Sequence, residues 1–166
     1  MDQGITPERY RVIPRILLFL FHHGRVLMLR RARTKAVGPG RYNGLGGHIE
    51  PGEDVLSAAR RELAEEAGIV DVPLRMCGTA VVDVRPVGVM LFIFRGDWPH
   101  DTPPTLRASD EGELAWVPTD ALSRYPLLPD LYVLLPRVIR WRPGDPLFHA
   151  VITPGDGEQV QVRFGG

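Results

Sequence analysis

The sequence predicts an α+β fold, a mixed sheet with helices packed on it. Short segments rich in Val, Ile, Leu and Phe recur along the 166 residues. An amphipathic helix interrupts them late in the first half, and a second follows near residue 130. The two kinds of element do not alternate in regular βαβ units, so an all-parallel sheet is not expected. The length suits one domain, 1–166, with its core at about 11–142 and a C-terminal hairpin at 146–164.

Residues 12–20 read as a strand, His22-His23-Gly24-Arg25 as a turn and 26–30 as a second strand, together a hairpin. Residues 32–45, with Gly38-Pro39-Gly40, read as a loop, and 46–49 as a short extended stretch. Pro51-Gly52 turns the chain into a helix that Glu53 or Asp54 caps and Gly68 stops, after a last turn ending near Ala67. Residues 70–84 and 88–96 read as two long strands joined at Arg85-Pro86. Residues 97–110, with Pro99, Pro103 and Pro104, form a loop, and 113–117 a strand. Thr119 is placed to cap a short helix, and a further helix follows Pro129 through Val138. Residues 147–152 and 159–164 close the chain as a hairpin around Pro154-Gly155-Asp156-Gly157.

Twenty basic and twenty acidic residues cancel, which removes the electrostatic case for binding a nucleic-acid polymer and leaves room for a small phosphorylated ligand. One cysteine, Cys77, makes an internal disulfide impossible and reads as a small buried residue. The longest apolar run, 16–21, is far short of the ~20 residues of a membrane helix, and no stretch has the order of a signal peptide. The expectation is a cytoplasmic protein without a membrane partner, its oligomeric state open.

The helix at 54–67 carries the chemistry. At roughly 100° per residue, Val55, Leu56, Ala59, Leu63 and Ala67 form its apolar stripe; Glu62 and Glu65 lie on one shoulder and Glu66 falls inside. A buried carboxylate needs a compensating partner, either an arginine or a metal ion. Arg60 and Arg61 leave the helix on other sides than Glu66. Clustered hard oxygens suit Mg²⁺ or Mn²⁺, which in turn bind polyphosphates. Gly46-Gly47, just ahead, lets backbone approach a ligand closely.

The stretch Gly47-x5-Glu53-x7-Arg61-Glu62-Leu63-x-Glu65-Glu66-x-Gly68-Ile69 resembles the Nudix box at every specified position. The order of the flanking elements is similar to a Nudix domain over nearly the whole chain. The resemblance implies an α/β/α sandwich around a mixed sheet. It also implies Mg²⁺- or Mn²⁺-dependent hydrolysis of a nucleoside diphosphate linked to another moiety. Carried over, Glu62, Glu65 and Glu66 are candidate metal ligands, with the Gly46 carbonyl a further one. Glu53 and Arg61 are the candidate structural pair that fixes loop to helix. Glu65 or Glu66 is a candidate general base. Some members use a glutamate outside the box, a role for which Glu111 is the matching candidate and Asp110 its rival.

The segment Gly40-Arg41-Tyr42-Asn43-Gly44-Leu45-Gly46-Gly47-His48 looks like the region before the box in MutT-type enzymes that hydrolyse oxidised purine nucleoside triphosphates. That makes Asn43 a candidate base contact and His48 a candidate phosphate contact. The animal enzymes of that subgroup read the base with adjacent aspartates preceded by tryptophan and proline. This chain offers Leu128-Pro129-Asp130-Leu131, so Asp130 alone remains as a candidate. Arg25, Arg30, Arg31, Arg33 and Lys35 form a basic cluster able to attract a triphosphate or to line a solvated strand end. The expected function is Mg²⁺-dependent cleavage of a purine nucleoside triphosphate to monophosphate and pyrophosphate. The alternatives are a nucleotide sugar, dinucleoside polyphosphate or dinucleotide cofactor as substrate, and a non-catalytic nucleotide-sensing Nudix fold. An isoprenoid-type isomerase shares the fold but expects a catalytic cysteine, for which only Cys77 is present.

Overall fold

The computed structural model describes residues 3–107 and 109–166; Met1 and Asp2 of the expected domain and Ala108 of the expected loop 97–110 lie outside the described residues. The centre of the molecule is the strand β1, Arg11–His22. Its residues 16–21 are apolar and all buried, with Leu17, Phe19 and Phe21 on one face and Ile16, Leu18 and Leu20 on the other. A strand buried on both faces reads as a continuous apolar run, and both sides of it must be covered.

The hairpin partner β2, Arg25–Arg31, pairs antiparallel with β1 at Leu20↔Leu27 through His22↔Arg25. β1 then runs parallel to β5, Val87–Asp97, over eleven pairs from Arg11↔Val87 to Phe21↔Asp97. β4, Leu74–Val82, lies antiparallel to β5, with a register shift between Met76 and Gly78. β7, Phe148–Pro154, lies parallel to β4, and β8, Val160–Phe164, closes that edge as the expected hairpin. On the other side, β6, Gly112–Pro118, pairs with the whole length of β2. The sheet is thus mixed, with parallel and antiparallel ladders in one layer.

Two helices cover its faces. α1, Val55–Ala67, packs Ala58, Ala59, Leu63 and Ala67 against Ile16, Leu18, Leu20 and Leu27. α2, Leu131–Arg140, packs Leu131, Leu134, Leu135 and Val138 against the opposite face with Phe19 and Ile93. Arg95, between Phe21 and Asp97, donates from Nη1 to the carbonyls of Val138, Ile139 and Trp141 and so satisfies the C-terminal end of α2. No helix among the described residues is long and apolar enough to cross a membrane.

The expected elements differ from the structure in four places. The loop expected at 32–45 contains a two-residue strand, β3, Tyr42–Asn43, paired with Leu29 and Arg30 of β2. The strand expected from residue 70 begins at Leu74, because Asp71 takes a left-handed turn (φ 58°) and Pro73 has no N–H to give a ladder. Thr119 does not cap a helix: its Oγ1 donates to the Gly24 carbonyl at 2.9 Å and pins the β1–β2 turn. The short helix behind it, Leu122–Arg124, is a 3₁₀ turn without a side-chain cap.

Candidate active site

β1 and β2 pair only at the end nearest their turn and then diverge. The glycine-rich segment 44–49 enters beside β1 at that point. Leu18 and Leu45 exchange N–H···O bonds of 2.8 and 3.0 Å, and the Ile16 N–H donates to the Gly47 carbonyl at 2.8 Å. Gly46 lies between those ladder bonds at φ 137°, where a Cβ would stand 2.1 Å from the Ile16 carbonyl oxygen. A Cβ on Gly47 would stand 2.3 Å from Glu62 Oε1. Only this pair of glycines lets the loop lie between β1 and the carboxylates of α1.

α1 begins at Asp54, whose Oδ1 accepts from the N–H groups of Leu56 and Ser57, both at 2.9 Å. Two turns on, Arg61 joins loop and helix. Its Nε and Nη2 donate to the two oxygens of Glu53 at 2.8 and 3.0 Å, and Nη2 also donates to the His48 carbonyl at 2.9 Å. Its Nη1 donates to Glu62 Oε1 at 2.9 Å and to Glu65 Oε2 at 3.2 Å. The bond to Arg61 holds the Glu53 carboxyl below its usual range, and the same bond keeps Arg61 firmly protonated. The sequence places Arg61 away from Glu66 but does not show that it spans Glu62 and Glu65. The opposite-charge spacing from Arg61 to Glu65 was the available signal.

Glu62 and Glu66 are both buried, at 8% and 7% exposure, while Glu65 is exposed. Burial pushes the Glu62 carboxyl up, against the pull of Arg61. Burial pushes Glu66 further, to about 7, and the charges of Glu62 and Glu111 act in the same direction. The Gly46 N–H, 2.8 Å from Glu66 Oε2, opposes them. No three carboxylate, imidazole or thiol groups among the described residues already converge as a metal cage. The donor set nonetheless fits a hard divalent ion: carboxylate oxygens from one edge of α1, two of them desolvated and raised, beside the glycine backbone of the loop. A divalent cation at these oxygens would favour the ionised forms that burial disfavours.

The other candidate residues fall in three places. Glu111, just before β6, is exposed, yet its charge reaches Glu66; its Oε2 is 2.6 Å from Lys35 Nζ. Asp110 is exposed beside it. Asn43 lies half-buried on β3 and turns its Oδ1 to the Gly44 N–H at 2.8 Å. The segment 126–128 runs along β3: the Tyr42 N–H donates to the Pro126 carbonyl and the Leu128 N–H to the Tyr42 carbonyl. That brings the stretch carrying Asp130 alongside the stretch carrying Asn43. Asp130 is half-buried at the start of α2 without a capping bond, and burial raises its carboxyl. Leu131 is fully buried in the α2-side core and cannot read a ligand. The His48 side chain is exposed, and its backbone carbonyl serves Arg61.

Two arginines of the basic cluster bond their own loop: Arg30 Nε donates to the Gly40 carbonyl and Arg31 Nε to the Val37 carbonyl. Arg41 Nη1 donates to the Leu127 carbonyl and Nη2 pairs with Glu158 in the β7–β8 turn. Neither Arg41–Glu158 nor Lys35–Glu111 carries a signal in the sequence, because both close over more than seventy residues.

The NUDIX domain family model matches residues 10–141. The oxidized purine nucleoside triphosphate hydrolase of Mus musculus is 32% identical over 116 residues, 69% of this chain and 71% of that protein. An isopentenyl-diphosphate Delta-isomerase of Jannaschia sp. (strain CCS1) is 31% identical over 115 residues, 66% of this chain and 65% of that protein. Among solved structures, the mutator MutT protein of Bacillus halodurans has the same fold, with a TM-score of 0.76 over 92% of this chain and 97% of that one, at 22% identity.

Proposed function

The chain belongs to the NUDIX domain family and is a MutT-like Nudix hydrolase; on that premise we propose that it cleaves a purine nucleoside triphosphate, oxidised or not, to the monophosphate and pyrophosphate. The observation that carries the reading is Glu66, a buried carboxylate raised to about 7 beside Glu62 and within reach of Glu111. Such a group favours a divalent ion, Mg²⁺ or Mn²⁺, as its partner. Glu62, Glu65, Glu66 and the Gly46 carbonyl would hold it. When bound, it neutralises phosphate oxygens and lowers the pKa of a water.

The protein's own residues divide the remaining work. Arg61 fixes the loop to α1 and orients Glu62 and Glu65. Glu111 takes the proton of the attacking water as the new P–O bond forms and the bond to the leaving phosphate oxygen breaks. Glu66, tied to the Gly46 N–H, is better placed as a ligand than as a mobile base. Asn43 and Asp130 are the candidate base contacts. Cys77 supports hydrolase over isomerase chemistry: it is fully buried, its Sγ donates to the Ile93 carbonyl at 3.4 Å, and burial pushes its thiol up to about 12.

Incubation with Mg²⁺ and a panel of nucleotides, with pyrophosphate and phosphate release as the readout, tests this. Triphosphates should give the highest kcat/KM, and Glu66→Gln should lower kcat by about 100-fold or more. Release of nothing from any compound would overturn the hydrolase reading. The altered stretch Leu128-Pro129-Asp130-Leu131 favours a second reading, a nucleotide sugar, dinucleoside polyphosphate or dinucleotide cofactor, since the leucine at 131 leaves Asp130 as the one acid of that pair of positions. Preference for such a compound over every triphosphate would select it. A non-catalytic sensor would bind nucleotide and turn over none.

A further inference from the structure

We propose that Lys35 is a positioning residue that holds Glu111 at the reaction centre through their ion pair; the inference rests on the proposed hydrolase function. Glu62, Glu65 and Glu66 on α1 and Glu111 just before β6 form one group of carboxylates: the Arg107 N–H donates to the Ala67 carbonyl at 2.8 Å, so the segment leading to Glu111 starts at the end of α1. A cation touches each end of the group. Arg61 bonds Glu62 and Glu65 at one end, and Lys35 bonds Glu111 at the other. Glu66, between them, has the Gly46 N–H. Glu111 sits on an exposed turn, and the 2.6 Å contact to Lys35 is the ion pair that fixes its carboxylate there.

The loop is built to present Lys35 there. The Lys35 N–H donates to the Ala32 carbonyl at 3.1 Å, and the Ala32 N–H to the Glu111 carbonyl at 3.4 Å, so lysine and glutamate share one stretch of paired backbone. Arg31 clasps the same loop from three atoms: its N–H donates to the Arg41 carbonyl, its carbonyl accepts from Gly40, and Nε donates to the Val37 carbonyl. These arginines therefore work as scaffold behind Lys35. As a fold stabiliser an ion pair this exposed contributes little. Its effect is local, on where the Glu111 carboxylate sits, and a displacement of about 1 Å at a reacting group costs on the order of 100-fold in rate.

Steady-state kinetics on the best substrate of the nucleotide panel, with Mg²⁺, test the assignment in the full chain. Lys35→Ala should lower kcat by about 10- to 100-fold with KM nearly unchanged. Lys35→Arg, which keeps a cation at the same reach, should recover most of that loss. The Lys35→Ala, Glu111→Gln double variant should be no slower than Glu111→Gln alone, because both remove one device. Thermal midpoints matching wild type show that the variants are folded. A raised KM with kcat intact would make Lys35 a phosphate contact and overturn the proposal. So would an unchanged kcat, or losses that simply add in the double variant. Wild-type protein inactive on the whole panel would overturn the proposed function together with this inference. An active wild type with an indifferent Lys35→Ala overturns the inference alone.

Discussion

Glu66 links a proton to the stability of the fold in one side chain. Its carboxyl rises from 4.5 to about 7 on folding, so the folded chain holds that proton more tightly than the unfolded one. The stability it lends is fully present below pH 4.5 and is lost as pH rises through about 7. Glu66→Gln keeps an acceptor for the Gly46 N–H and carries no charge to desolvate. In EDTA the variant should be more stable than wild type at pH 8, by up to about 3 kcal/mol, and equal to it at pH 4. Calorimetry at the two pH values decides it; a variant weaker than wild type at pH 8 contradicts the burial argument. Adding Mg²⁺ at pH 8 should raise the midpoint of wild type more than that of the variant. The burial of Glu66 was legible in the helical wheel, since the residue falls inside the stripe of Ala59, Leu63 and Ala67. Its partner was not, because the Gly46 N–H is set by how the loop lies on β1.

At the scale of the element, α1 is both a helix and a mount. Asp54→Ala removes two backbone acceptor bonds and the Ser57 hydroxyl's partner, which should cost about 1 kcal/mol. In a chain of this size that lowers the thermal midpoint by about 2–4 °C, while kcat stays close to wild type. Gly47→Ala should do the reverse. Its methyl group would meet the Glu62 carboxylate, so kcat should fall by about 100-fold with a smaller change in midpoint. Activity and melting measured on both variants check the pair. A Gly47→Ala enzyme as active as wild type would show that the loop has slack. The cap, the stripe and the stop of α1 could all be read from the chain, because each depends on neighbours within one or two turns. β3 could not, since two residues show no periodicity. Thr119 read as a cap because its type and place were right, and a distant carbonyl at Gly24 claimed its hydroxyl.

Over the whole molecule, the sheet separates two cores: α1 carries the carboxylates on one, and α2 begins beside Asp130 on the other. The C-terminal hairpin, beyond the residues matched by the family model, belongs to the second: Ala150 and Ile152 are buried in it, and Phe148, Val160, Val162 and Phe164 pack against it. Ile152→Ala should therefore cost about 2–5 kcal/mol, read as a lower denaturation midpoint, with KM more affected than the metal requirement. An unaffected midpoint would mean that the hairpin is an appendage. The strands were readable from their apolar runs, but their order was not, since nothing local in β1 selects β5 as its neighbour. That pairing also governs how the chain reaches its fold. Its first partners, Arg11 and Val87, are 76 positions apart. At ribosomal speed, β1 waits roughly 4–15 s for β5 to emerge. Until then its two oily faces have no finished layer to lie in, and closing so long a loop is slow in any case. The time of greatest exposure to chaperones and to self-association thus falls in biosynthesis, after the acidic helix is made and before the strand that supports it.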